Sequence, residues 1–471
     1  MHGFRGTVLG CAFALGGCSA VGPDYQSPSL PLQQHFVGGE STALARAAQE
    51  QWWRGLNDPM LNHLVGRGLS QNLDLLAGYE RIRASQALLG RTGQNAQVSG
   101  NAAAQGSRFD NGINGSRNDS GLSVNAAYVF DLFGGVRRGR EQALANYEAA
   151  QYDVGTVRLA YLADIVDSYI RARYFQAAAS ITRNTIESRR RTVSLVNRRR
   201  EAGEATALEL AQARSLLSSA QATLPYLVAS FESNVYHIAT LLAEPAGPIL
   251  VKMQSGASQP RPQWIGNAGV PADLLRNRPD VRYAERNFAA ATAAIGVAEA
   301  QLYPALTLDG SITEGTLDTW RFGTALALPL LNRGILKASR NLAISQARQA
   351  QMAWRNAVLV AVEDVQSGLS LTKRWRVQMG SLDVAARESS RVLALSQQSY
   401  AGGAIILTDV LDSERDDASN QLAVAAGARD YALSWARLQV ATGRGWYAHD
   451  GSKAPAKIVK KDGVTPAPTV Q

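Results

Sequence analysis

One pattern occurs twice in this chain. Residues 200–210, with Gly203 in a turn and Glu209 beyond it, are answered by residues 400–410, with Gly402, Gly403 and Asp409 in the matching places. The strand-like run that closes on residues 131–135 and opens a helix has its counterpart at residues 329–334. A period of about 200 residues is far too long for a solenoid unit, so the chain reads as a duplicated half-molecule with an internal two-fold repeat. The halves are residues 57–243 and 273–443, joined by a Pro- and Gly-rich linker at 244–272. Each runs helix, two strands, very long helices.

In the first half, Asp58 and Pro59 suit the cap and first position of a helix. That helix runs to about Gly93, with Leu61, Leu64, Val65, Leu69, Leu73 and Leu76 at helical spacing. Residues 96–105 form a weak strand candidate. In the strong one, Leu122, Val124, Ala126, Tyr128 and Phe130 alternate with small or polar residues. The turn-rich residues 106–119 between them read as a loop. Residues 135–200 contain no proline, and at about 1.5 Å per residue such a helix spans roughly 100 Å. A second helix returns over 207–242, where Pro225 predicts a kink or break. In the second half the helix covers 280–301, the strands 303–313 and 320–328, and the long helices 334–400 and 405–442. The tail, residues 444–471, is rich in Lys, Pro and Ala and reads as disordered.

The N-terminus carries an address. Arg5 precedes a short apolar run that ends in Leu15-Gly16-Gly17-Cys18, the layout of an export signal over residues 1–17. This ending resembles the lipobox of bacterial lipoproteins, in which cleavage leaves Cys18 as the acylated first residue. Ser19, in place of the Asp that signals inner-membrane retention, favours the outer membrane. Each acyl methylene buried in outer-membrane lipid contributes about 0.8 kcal/mol. Loss of Cys11 with the signal leaves one cysteine and no intrachain disulfide. An extended segment, 18–56, follows.

Of 471 residues only 7% are aromatic, and the net charge of +9 is spread along helices beside Asp and Glu. That spacing describes solvated helix faces, not a nucleic-acid surface. No run of about 18 apolar residues follows the N-terminus, so no spanning helix is expected. Strands alternating over about ten positions instead suit a membrane barrel. Four strands are too few to close one, since about eight are needed, and an open edge in lipid leaves backbone groups unsatisfied. The chain is therefore expected to oligomerise, and the apolar stripes of its long helices need neighbours too.

Residues 269–312, together with residues 21–25, 130–134 and 407–412 and the lipobox, closely resemble the outer-membrane factor family, TolC-like, in its lipoprotein NodT-type subgroup from tripartite efflux systems. Tyr303 stands where the family usually has Phe. The resemblance implies an α+β membrane protein with mostly long antiparallel helices forming a periplasmic helical barrel. Four strands per chain would contribute to a homotrimeric twelve-strand outer-membrane barrel. It implies a passive exit duct that receives small molecules from an inner-membrane pump of the resistance-nodulation-division type through a periplasmic adaptor. A type I protein-secretion duct and a structural coiled-coil lipoprotein tether are the alternatives.

The residues offer no catalytic constellation, so no enzyme is expected, and neither metal nor cofactor. The five histidines are isolated, without an HExxH zinc motif, P-loop or GxSxG elbow. Asp409, Asp412 and Asp416, at i, i+3 and i+7, share a helix face, while the first half has Glu209, Gln212 and Leu216 there. Two readings stay open: a solvated face, or carboxylate rings lining a narrow neck. The resemblance favours the neck, since the family's constriction carries an Asp at the Asp412 position. Arg198, Arg199 and Arg200 could pair with these acids in a neighbouring hairpin or simply keep the surface soluble. Gly203, Gly402 and Gly403 mark hairpin tips where an adaptor could dock.

Overall fold

The computed structural model describes residues 20–37, 47, 50–110, 112, 115–262, 269–315 and 318–447. The signal segment, Cys18 and residues 448–471 lie outside the described residues. The chain divides into two compact units. One comprises Met1–Ser29, Arg81–Gln151 and Tyr283–Arg355, the other Leu30–Glu80, Tyr152–Arg282 and Asn356–Gln471.

The first unit holds a four-stranded antiparallel sheet of β1 (Val98–Asp110), β2 (Ser116–Phe130), β3 (Ala305–Glu314) and β4 (Thr319–Ala327), in that order. Its register sorts the side chains by chemistry. Val124 lies opposite Ala102 and Ile312, Tyr128 opposite Val98 and Leu308, and Ile312 opposite Trp320. One face is therefore apolar or small over residues 98–106, 122–130 and 306–312, with Thr324 among the apolar residues of β4 and with Arg108, Asn118 and Glu314 toward one end. The other carries Asn101, Asn125, Ser311 and Arg321, again cross-strand neighbours. The apolar face is uncovered: Trp320, Phe322 and Leu326 are exposed. Gly310 has no side chain, and the Phe322 ring lies across it. The outer strands, β1 and β4, each bond one neighbour only.

The N-terminal segment is fastened to this unit. Val21 N–H donates to Phe133 O (3.0 Å). The buried Arg138 reaches Val21 O (3.1 Å), Gly22 O (3.1 Å) and the Asp24 carboxylate (2.7 Å). A Cβ on Gly22, which has φ +86°, would lie 2.6 Å from Gly296 Cα, so two backbones cross here without side chains.

The second unit is built from helices: α1 (Pro59–Gln71), α5 (Ala207–Leu241), α6 (Ala246–Gln254), α7 (Pro271–Asn277) and α10 (Leu407–Ala441). The remaining helices are α2 (Leu73–Gly90), α3 (Gln94–Gln97), α4 (Gly135–Glu201), α8 (Pro279–Ala300) and α9 (Arg333–Ala401). With 67 and 69 residues, α4 and α9 each extend for roughly 100 Å and contribute to both units. A core around Trp435, Tyr169, Ile165, Ile238 and Met253 fills the second unit. Asp58 caps α1 as the sequence implies, accepting from Leu61 N–H (3.1 Å). Its other oxygen takes the Tyr169 hydroxyl (2.6 Å). No described helix is long and apolar enough to cross a membrane.

Several elements depart from expectation, each for a physical reason. The first helix is broken at Asn72, whose Oδ1 accepts from Asp74 and Leu75 N–H (3.1 Å each) and whose amide donates to Leu241 O (2.9 Å). The expected loop 106–119 is mostly strand, because ladder bonds between Gly106 and Ser120 and beyond satisfy the backbone that turn-forming side chains would otherwise engage. Pro225 sits inside an unbroken α5. The carbonyl it leaves free belongs to the exposed Gln221, where water can serve it. The 244–272 linker contains α6, because Gly247 and Pro248 fall in its first turn, where no N–H donor is needed. Ile249 and Met253 then enter the core. The tail is held as far as it is described: Arg158 donates to Gly445 O (3.0 Å) and Trp446 Nε1 to Asn277 O.

Candidate functional site

The hairpins α4–α5 and α9–α10 meet at their ends in the second unit. Each turn closes alike. Gly203 (φ +79°) donates to Arg200 O (3.0 Å) and Glu204 to Arg199 O (2.8 Å); Gly403 (φ +76°) donates to Tyr400 O (3.0 Å) and Ala404 to Ser399 O (2.9 Å). This is the Schellman arrangement, in which a left-handed glycine lets the chain satisfy the last helical carbonyls. Both glycines face open space, and Gly402 meets only ordinary contacts. Between the tips, Val196, Leu210, Tyr400, Leu407 and Val410 make a small buried cluster.

The two returning helices start differently. Thr206 caps α5 in a reciprocal box with Glu209: Glu209 N–H donates to Thr206 Oγ1 (3.1 Å) and Thr206 N–H to the Glu209 carboxylate (2.6 Å). At α10 the cap position is Ile406, which has no side-chain bond to give. Asp409, in Glu209's place, is consequently left out of any capping box. With Asp412 and Asp416 it lies on the exposed face of α10, so the structure groups the three acids as the spacing requires. Asp412 accepts from Arg415 (2.7 Å), an exposed i,i+3 pair of the kind that contributes little.

The arginines go elsewhere within the protomer. Arg199 donates to Tyr400 O (2.7 Å), lies 4.7 Å above the Tyr400 ring and pairs with Glu204 (3.4 Å). It joins the two tips, and burial pushes the Tyr400 hydroxyl pKa up. Arg198 reaches Ser194 (3.0 Å), and Arg200 is exposed.

Sequence reasoning missed Glu414. It falls on the buried stripe Leu407–Val410–Leu411, one turn on, and is 3% exposed. An acid at the next place of an apolar stripe was the available signal. Thr192 Oγ1 (2.5 Å) and Gln397 Nε2 (3.4 Å) donate to its Oε1. Burial pushes its carboxyl above the ordinary 4.5, opposed by the Thr192 bond, the Arg189 charge and the Gln397 bond. A carboxyl raised on folding contributes stability that is complete below 4.5 and lost as pH climbs through the raised value. Melting curves across that window should therefore fall more steeply for the native protein than for Glu414→Gln. Superimposable profiles would contradict this placement of the carboxyl.

A model of the family described as "Outer membrane efflux protein" matches residues 64–244 and 270–444. The chain belongs to this family. It is 37% identical over 458 residues to "Nodulation protein T" of Rhizobium leguminosarum bv. viciae, covering 95% of each chain. It is 31% identical to "Pyoverdine export outer membrane protein OpmQ" of Pseudomonas aeruginosa, covering 89% of this chain and 93% of that one. Among solved structures, the outer-membrane channel OprN superposes with a TM-score of 0.82 at 29% identity, over 90% of this chain and 99% of that one. In this efflux protein the first matched segment holds Glu209 and the second the acidic stripe.

Proposed function

We propose that this efflux protein is the passive outer-membrane exit duct of a tripartite efflux system. It would work as a homotrimer that receives small molecules from an inner-membrane pump, of the resistance-nodulation-division type, through a periplasmic adaptor. The observation that carries this reading is the four-stranded sheet with one bare apolar face and two outer strands bonded on one side only. In lipid such a sheet is stable only when other copies continue it, and three copies supply twelve strands. Detergent-extracted protein should have the mass of three protomers by light scattering, and a stably folded monomer would sink the assembly. Expression together with a cognate pump and adaptor, in cells lacking their own duct, should restore dye efflux. If efflux returns without the pump, or not at all with both partners, the duct reading fails.

The finer assignments rest on position and chemistry. The open surroundings of Gly203, Gly402 and Gly403 suit close approach by an adaptor. The exposed Asp409, Asp412 and Asp416 suit rings of carboxylates in a constriction, and the exposed Arg198 and Arg200 are free in direction to meet such acids on another protomer, with Arg199 bracing the tips. Cys18 follows a lipobox and would anchor the chain in the outer membrane while the helices extend into the periplasm. Cys18→Ser should abolish labelling by radioactive palmitate; retained label would exclude this residue as the acylation site.

A further inference from the structure

On the buried side of α10, away from the acidic stripe, a cavity of about 290 Å³ has Asn184, Ser188 and Arg189 of α4 in its wall, with Glu414, Asp417 and Gln421 of α10. Two of its groups are almost wholly buried and incompletely bonded. Glu414 is 3% and Arg189 7% exposed, and neither Glu414 Oε2 nor Arg189 Nε has a hydrogen-bond partner. Each is bonded through one other atom: Arg189 Nη1 donates to Leu216 O (2.8 Å) and Glu414 Oε1 accepts from Thr192. Asp417 Oδ1 accepts from Ser390 (2.6 Å) and Ser389 (3.4 Å). Buried polar atoms are almost always paired, with protein, water or an ion, and the residues that carry these two line the same cavity.

We propose that this cavity binds a hydrated monovalent cation, held by the carboxylates of Glu414 and Asp417. The side-chain oxygens of Asn184, Ser188 and Gln421 would complete the site. Charge decides the class of ligand. Two carboxylates against one guanidinium leave one negative charge to neutralise. An anion would meet two acids, whereas a divalent ion would share its cavity with Arg189 and lack a third ionic ligand. No cluster of three or more acidic, His or Cys side chains fit for a metal ion occurs among the described residues. The volume suits an ion that keeps part of its water, since a single water needs only about 10–15 Å³ of such space. Burial also favours the proton at Glu414, so a cation and a proton would compete for the same carboxylate. The site does not depend on the acidic stripe being a gate.

The test uses cation-dependent stability, because a ligand bound only by the folded protein raises its melting temperature. At equal ionic strength, the full-length protein in sodium or potassium chloride should melt on the order of 2 °C or more above the same protein in N-methylglucamine chloride. The difference should persist in an Asp409→Ala, Asp412→Ala, Asp416→Ala background, which removes the stripe as its source. It should vanish when Glu414→Gln is added, and shrink with Asp417→Asn, which serves if the first variant fails to fold. Equal melting temperatures in the two salts would overturn the proposal. So would a difference undiminished in both Glu414→Gln and Asp417→Asn.

Discussion

Alanine at both Asp409 and Asp412 is expected to raise the resting conductance of the protein in planar bilayers and weaken its block by cations. Both carboxylates lie on the exposed face of α10, so a trimer brings three copies of each to a common axis if that face lines the duct. Two such charges about 10 Å apart repel by roughly 1–2 kcal/mol at an effective dielectric of about 20. A neck lined in this way would gather counter-ions, and those ions would obstruct it. Alanine shortens the side chains and removes the ion sites. Losing about 1.4 kcal/mol of cation affinity weakens block about tenfold. The first-half counterpart Glu209 is held in a capping box with Thr206, so Glu209→Ala should disturb the cap and leave block unchanged. Unaltered conductance and block in the double variant would return the stripe to a solvated helix face.

The second large effect lies in the sheet. Leu308 stands on the apolar face, opposite Tyr128 and Thr324. Leu308→Arg should prevent accumulation of assembled protein in the outer membrane, because arginine at the bilayer midplane costs about 2–4 kcal/mol on the lipid face of a barrel. In the proposed trimer that cost would be met three times. Ser123→Arg, on the opposite face between Ala103 and Thr313, should assemble normally. The readout is heat-resistant oligomer in outer-membrane fractions. Equal tolerance of both variants would mean that the apolar face does not meet lipid.

What the residues disclosed, and what they hid, follows from the range of the forces involved. The caps at Asp58 and Thr206, the glycine turns at 203 and 403 and the alternation of β2 are local, and local chemistry is written in consecutive residues. The break at Asn72 is not. The leucine spacing runs across it, and the bond that fixes it comes from Leu241, far along the chain. The turn-like residues 106–119 became strand for a similar reason, since their ladder partners are set by register and not by propensity. The three acids of α10 were visible as a spacing, but their exposure and the Ile406 cap that leaves Asp409 outside any box emerge only in the folded chain. Glu414 was hidden because an acid among solvated acids looks ordinary until Leu407, Val410 and Leu411 show which side is inside.

The unequal caps have a mechanical consequence. A threonine cap is worth about 1 kcal/mol of helix stability, which is about a fivefold difference in how often a first turn comes undone. The α4–α5 hairpin therefore behaves as a fixed post, and the start of α10 as the compliant member beside it. Against this the first turn of α10 is held by the packing of Leu407 and Val410, so the missing cap is expected to show at the exposed residues 408 and 409 of that turn. Amide exchange should register this as faster exchange in the first turn of α10 than in the first turn of α5.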